Sequence, residues 1–129
     1  MNLVDSFGWL EYFADGPNAD FFAPALENSD QLLVPSICIL EVFRHILRRR
    51  GEGPALSAVS AMQQGRVVDL DAPVAMTAAR LGVELGLPLA DSVILATARL
   101  NEAIVWTQDA DFKGIRGVKY KPKRPSPSA

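Results

Sequence analysis

A chain of 129 residues, 49% hydrophobic and 22% charged, has room for one domain with a packed core and not for two ordinary ones. Its single cysteine, Cys38, excludes an internal disulfide, and with only one histidine, His45, any metal site must rest almost wholly on oxygen ligands. The net charge of −2 hides an asymmetry, because six basic residues and no acidic one follow position 112, while all 15 acidic residues precede it.

Met1 to Val4 is a short apolar run that ends at Asp5. It lacks the basic start and apolar stretch of a secretory signal, and no run in the chain approaches the roughly 18 apolar residues of a membrane span. A cytoplasmic protein without a membrane segment is expected. Ser6 opens a helix over Phe7–Phe13, broken by Asp15-Gly16-Pro17. Asn18–Glu27 suits a second short helix, and Gln31–Val34 reads as a strand. Pro35-Ser36 leads into a helix over Ile37–Arg50, stopped at Gly51–Gly53. Pro54–Gln64 is the next helix, with Pro at its first position. Arg66–Leu70 is strand-like. Asp71 caps a helix over Ala72–Leu85, and Gly86-Leu87-Pro88 interrupts. Asp91–Asn101 is a helix, Ala103–Trp106 a strand, Asp109–Phe112 a turn and Val118–Tyr120 a last strand. The segment 121–129, rich in Pro, Ser and Lys, reads as a disordered basic tail behind a domain over 1–120.

Helices alternating with short apolar strands imply crossover connections, hence a mainly parallel sheet covered by helices. In such folds sites gather at the carboxyl ends of the strands. Three carboxylates stand at these junctions: Asp5 after the first strand, Asp91 at the start of the helix before the last long strand, and Asp109 after that strand. Each alone has a structural explanation as a helix cap or turn residue. Glu41 lies on the helix from Ile37, opposite an apolar stripe of Ile39, Val42, Phe43, Ile46 and Leu47. Arg44 and Arg48 share its face, as a solvated Glu–Arg pairing or as phosphate contacts. Four carboxylates packed together repel one another, and a divalent cation removes that conflict. All-oxygen ligation suits Mg²⁺ or Mn²⁺, which can activate water and stabilise charge on a phosphodiester.

Leu3-Val4-Asp5-Ser6 with Trp9-Leu10-Glu11, Ile39-Leu40-Glu41-Val42, Leu89-Ala90-Asp91-Ser92-Val93-Ile94-Leu95-Ala96-Thr97-Ala98 and Thr107-Gln108-Asp109-Ala110-Asp111-Phe112 resemble, in this order, the motifs of PIN-domain ribonucleases. The likeness is nearest to the toxin half of VapBC-type toxin–antitoxin pairs and runs to about Tyr120. It implies a three-layer PIN-like α/β fold, an Mg²⁺- or Mn²⁺-dependent endoribonuclease and inhibition by a cognate antitoxin. By this resemblance Asp5, Glu41, Asp91 and Asp109 form the catalytic acidic quartet. Asp5, Asp91 and Asp109 would hold metal, with Asp111 as an alternative to Asp109. Ser6, Arg44, Arg48 and Thr107 would meet the RNA substrate.

His45 follows Glu41 by one turn, but one histidine without partners reads as structural rather than as a ligand. Trp9, Tyr12 and Phe13 have core or interface spacing rather than that of a base-stacking platform. Arg48-Arg49-Arg50 are accounted for by the helix C-terminus alone. Crowding of Trp9, Leu10, Tyr12, Phe13, Phe21, Phe22 and Leu26 onto two short helices suggests surplus apolar surface, and with the resemblance this implies a homodimer that also binds the antitoxin near these helices. A haloacid-dehalogenase-type enzyme would place an Asp where Phe7 stands. A Toprim-like nuclease would place its Glu where Asp5 stands. A receiver or nucleotide-binding domain finds no Gly-rich phosphate loop. A non-catalytic PIN-like RNA-binding module normally lacks one or more of the acids, and all four are present.

Overall fold

In the computed structural model, which describes residues 1–125, the first apolar run becomes β1 (Asn2–Val4) at the centre of a five-stranded sheet. β2 (Leu32–Pro35) and β4 (Ile104–Thr107) flank it, and β3 (Arg66–Val68) and β5 (Val118–Tyr120) form the edges. Every pairing is parallel, with Leu3 opposite Leu33 on one side and Val105 on the other.

Parallel neighbours need long crossovers, and helices supply three of them. α1 (Ser6–Phe13) and α2 (Ala19–Leu26) join β1 to β2, and α3 (Ser36–Arg50) and α4 (Glu52–Met62) join β2 to β3. α5 (Ala72–Leu85) and α6 (Leu89–Leu100) join β3 to β4. The fourth crossover is a loop carrying a 3-10 turn at Ala110–Phe112. All four residues of β2 are buried, so both faces of the sheet centre are covered. This is the α/β architecture expected from the sequence. No single helix among the described residues is long and apolar enough to cross a membrane.

Several boundaries differ from the sequence reading. α4 starts at Glu52, so Pro54 is its third residue rather than its first. Gly51, at φ 90°, turns the chain directly from α3 into α4, so no longer linker is needed. Pro88 caps α6, which moves Asp91 from the cap into the first turn. The buried side of α3 is Cys38, Val42 and Ile46, with Ile39 and Phe43 partly covered and Leu47 exposed. The aromatic surplus on α1 and α2 is mostly consumed by the core. Trp9, Phe22 and Leu26 are buried, and Leu10, Tyr12, Phe13 and Phe21 pack against them.

Gly8 lets α1 lie against β1 and α2. A Cβ there would stand 2.5 Å from Val4 Cγ1 and 2.8 Å from Phe22 Cε1, both in fully buried side chains. Gly8→Ala should therefore destabilise the fold by about 1–3 kcal/mol, since overpacking outweighs the gain in helix propensity. A urea midpoint equal to or above that of the parent protein would refute this packing.

Candidate active site

The acids converge where the sheet's central strands end. Asp5 follows β1 and caps α1, its Oδ1 accepting from the Gly8 N–H at 2.8 Å. Its Oδ2 accepts from the Thr107 hydroxyl at 2.6 Å. Thr107 ends β4, and its Oγ1 in turn accepts from the Asp109 N–H at 2.9 Å. Asp109 caps the 3-10 turn by accepting from the Asp111 N–H at 2.9 Å. A chain of hydrogen bonds thus runs from the end of β1 to the loop after β4. Two of the local structural roles recognisable in the sequence, the caps at Asp5 and Asp109, are realised together with this clustering.

Asp91, Asp109 and Asp111 each offer a carboxylate oxygen within 4.8 Å of the others. Asp111, the alternative ligand of the sequence reading, thus joins Asp91 and Asp109 in this cluster. Asp5 lies deeper, 3% exposed, with both oxygens engaged by Gly8 and Thr107, whereas Asp111 stands at the open side. Burial pushes the Asp91 carboxyl up to about 7, helped by the charges of Asp109, Asp5, Asp111 and Glu41. Burial also raises Asp5 to about 6, against the opposing hydrogen bonds from Thr107 and Gly8. These mutual effects place all five carboxylates within one electrostatic neighbourhood. Oxygen donors alone, crowded and mutually repelling, fit a hard divalent cation such as Mg²⁺ or Mn²⁺.

Glu41 accepts from the Ser6 hydroxyl at 2.6 Å, which fastens α3 to the start of α1. Ser6 and Thr107 are both buried, and their hydroxyls are spent on carboxylates. In the structure they orient Glu41, Asp5 and Asp109. Arg44 and Arg48 do face open space. With Ser6, Phe7, Leu40 and Glu41 they line a cleft of about 630 Å³ along α1 and α3. His45 borders the same cleft, away from the carboxylate trio, and its pKa is lowered by burial and by Arg49 and Arg48. Cys38 is fully buried and burial pushes its thiol up, so it is no nucleophile.

Sequence reasoning missed a further set of polar residues beside the site. Asn18 donates to Gln108 Oε1 at 2.9 Å and to the Pro122 carbonyl at 3.0 Å. Arg124 Nε donates to Asn18 Oδ1 at 2.9 Å. The first part of the expected tail is therefore held against the domain, and residues 126–129 lie outside the described residues. Only the run of Pro and basic residues marked this segment in the sequence, and that signal does not distinguish a strap from a solvated tail.

The fold matches solved structures along nearly its whole length. A toxin–antitoxin complex from Klebsiella pneumoniae aligns with a TM-score of 0.79 at 24% identity, covering 92% of this chain and 96% of that one. A sarcin–ricin loop cleaving toxin from Mycobacterium tuberculosis aligns with a TM-score of 0.76 at 18% identity, covering 95% and 100%. FitAcB from Neisseria gonorrhoeae aligns with a TM-score of 0.68 at 22% identity, covering 93% and 96%. No curated protein matches the chain in sequence. The sequence model of the PIN domain matches residues 3–118, which reach from β1 into β5, and the chain belongs to the PIN domain family.

Proposed function

We propose that this protein is a metal-dependent endoribonuclease and the toxin of a toxin–antitoxin pair. The observation that carries the reading is the convergence of Asp91, Asp109 and Asp111, backed by Asp5 and Glu41, beside a cleft edged with arginine. Asp91, Asp109 and Asp111 would hold Mg²⁺ or Mn²⁺. When bound, such an ion acidifies water and neutralises charge building up on a phosphodiester. Asp5 keeps the trio's surroundings negative, and through Thr107 it fixes the Asp109 backbone. Glu41, held by Ser6, stands at the mouth of the cleft, where it can orient water or accept a proton. Arg44 and Arg48 offer forked donors to the RNA backbone.

Similarity to structures of toxin–antitoxin complexes supports a cognate antitoxin as partner. An arginine of such a partner would neutralise the acidic trio. A homodimer and a cytoplasmic location belong to the same reading. The decisive test is cleavage of a mixed RNA pool by purified protein with Mg²⁺ or Mn²⁺, against EDTA. Discrete metal-dependent cuts, mapped by sequencing of the new ends, are expected. RNA left intact under every metal condition by protein freed of any copurifying partner would reject the enzyme.

A further inference from the structure

Two of the three proposed metal ligands, Asp109 and Asp111, sit on a loop, and a loop fixes side chains only where its root is held. Three successive residues at this root are held. The Thr107 carbonyl accepts from the Lys121 N–H at 3.0 Å, as the chain leaves β5. Gln108 is caught by Asn18, and the Asp109 N–H by Thr107. Asn18 is fully buried at the start of α2, and every polar group it owns is engaged. Its amide hydrogens go to Gln108 and the Pro122 carbonyl, and its Oδ1 receives Arg124. Its own N–H donates to Glu11 Oε2 at 2.8 Å, and its carbonyl accepts from the Phe21 N–H at 3.0 Å. Arg124 also donates to the Pro17 carbonyl. The segment beyond β5 thus crosses back over the α1–α2 connection and closes on Asn18 from outside.

We infer that Asn18 and Arg124 are positioning residues: the basic C-terminal segment is a latch that fixes Gln108 through Asn18 and so sets Asp109 and Asp111 against Asp91. The metal half of this inference rests on the proposed nuclease reading. An amide with both hydrogens and its oxygen committed admits one orientation, and Gln108 inherits it. Groups that orient ligands typically govern metal affinity by 10–100-fold without touching the ion. A segment that merely anchored the C-terminus would change overall stability and leave the ligand loop as it was.

The test uses the full chain with Arg124→Ala, whose site is at the surface, and Asn18→Ala. Two quantities are read: amide hydrogen exchange at Asp109 and Asp111 in EDTA, and the Mn²⁺ concentration giving half-maximal thermal stabilisation. Arg124→Ala should speed exchange at both amides by about tenfold, the equivalent of one lost hydrogen bond, with α5 amides unchanged. It should also raise the Mn²⁺ midpoint by roughly tenfold or more, and Asn18→Ala should do more of both. Unaltered exchange at these amides in Arg124→Ala overturns the latch. Faster exchange with an unshifted Mn²⁺ midpoint overturns its positioning role. If Mn²⁺ fails to stabilise even the parent protein while exchange responds as expected, the latch stands and the metal reading falls instead.

Discussion

Asp91→Asn should lower single-turnover RNA cleavage at saturating substrate by roughly a thousandfold or more, with RNA affinity kept or improved. The substitution spares the fold. Asn matches Asp in shape, and the Asp91 side chain caps no helix: Pro88 stands at the α6 cap, so the fold loses no hydrogen bond there. What disappears is one of three convergent anionic oxygens. A ligand set reduced from three carboxylates to two holds a divalent ion weakly, and the site loses the charge on which the reaction depends. Binding of RNA, itself an anion, gains from the loss of a repelling charge. Asp5→Asn is a less clean probe, because Asp5 caps α1 and accepts from Thr107 as well.

Arg44→Ala with Arg48→Ala should give the opposite pattern. Both side chains line the cleft outside the carboxylate trio, so their loss weakens binding and flattens its salt dependence while the saturated rate stays near normal. The measurement is single-turnover cleavage in Mn²⁺ across several salt concentrations. An Asp91→Asn protein that cleaves at nearly the parent rate at saturating RNA would remove Asp91 from the catalytic machinery.

The parts of this site that were legible in the sequence were those fixed by local pattern. Short apolar runs ending in Asp5 and Thr107-Gln108-Asp109 marked strand ends, and a parallel sheet gathers its strand ends at one edge. Glu41 was visible as a carboxylate opposite the apolar stripe of its helix, with Arg44 and Arg48 on the same face. The sequence left open whether Asp109 or Asp111 faces the site, since that depends on how the loop after β4 turns, and in the structure both do. The carboxylate partners of the Ser6 and Thr107 hydroxyls were hidden for a related reason: they lie 35 and 102 residues away in the chain. The Asn18 latch spans 90 and 106 residues. A single sequence carries helix and strand periodicity, but nothing in it records which buried amide will meet which distant arginine.

Freed of metal, the protein should be measurably more stable at pH 5 than at pH 8. The sign follows from Asp91 and Asp5, raised to about 7 and about 6 from an ordinary 3.8. Between those limits the folded state binds more protons than the unfolded chain, so stability falls as pH rises through the window. Below about 4 both states are protonated and the full stability is present; above 7 the folded state carries charges that burial and mutual repulsion make costly. Mn²⁺ should invert the trend, because it binds only the ionised carboxylates and only in the folded state, adding most at pH 8 and little at pH 5. Asp91→Asn isolates the same balance at a single position. It removes a charge the metal-free fold bears at a cost, so it should raise stability in EDTA most at pH 8 and less at pH 5, and abolish most of the gain from Mn²⁺. Urea denaturation at the two pH values, in EDTA and in Mn²⁺, reads all of these. Stability in EDTA that climbs from pH 5 to pH 8 would show that the carboxylates are not crowded as the geometry has them.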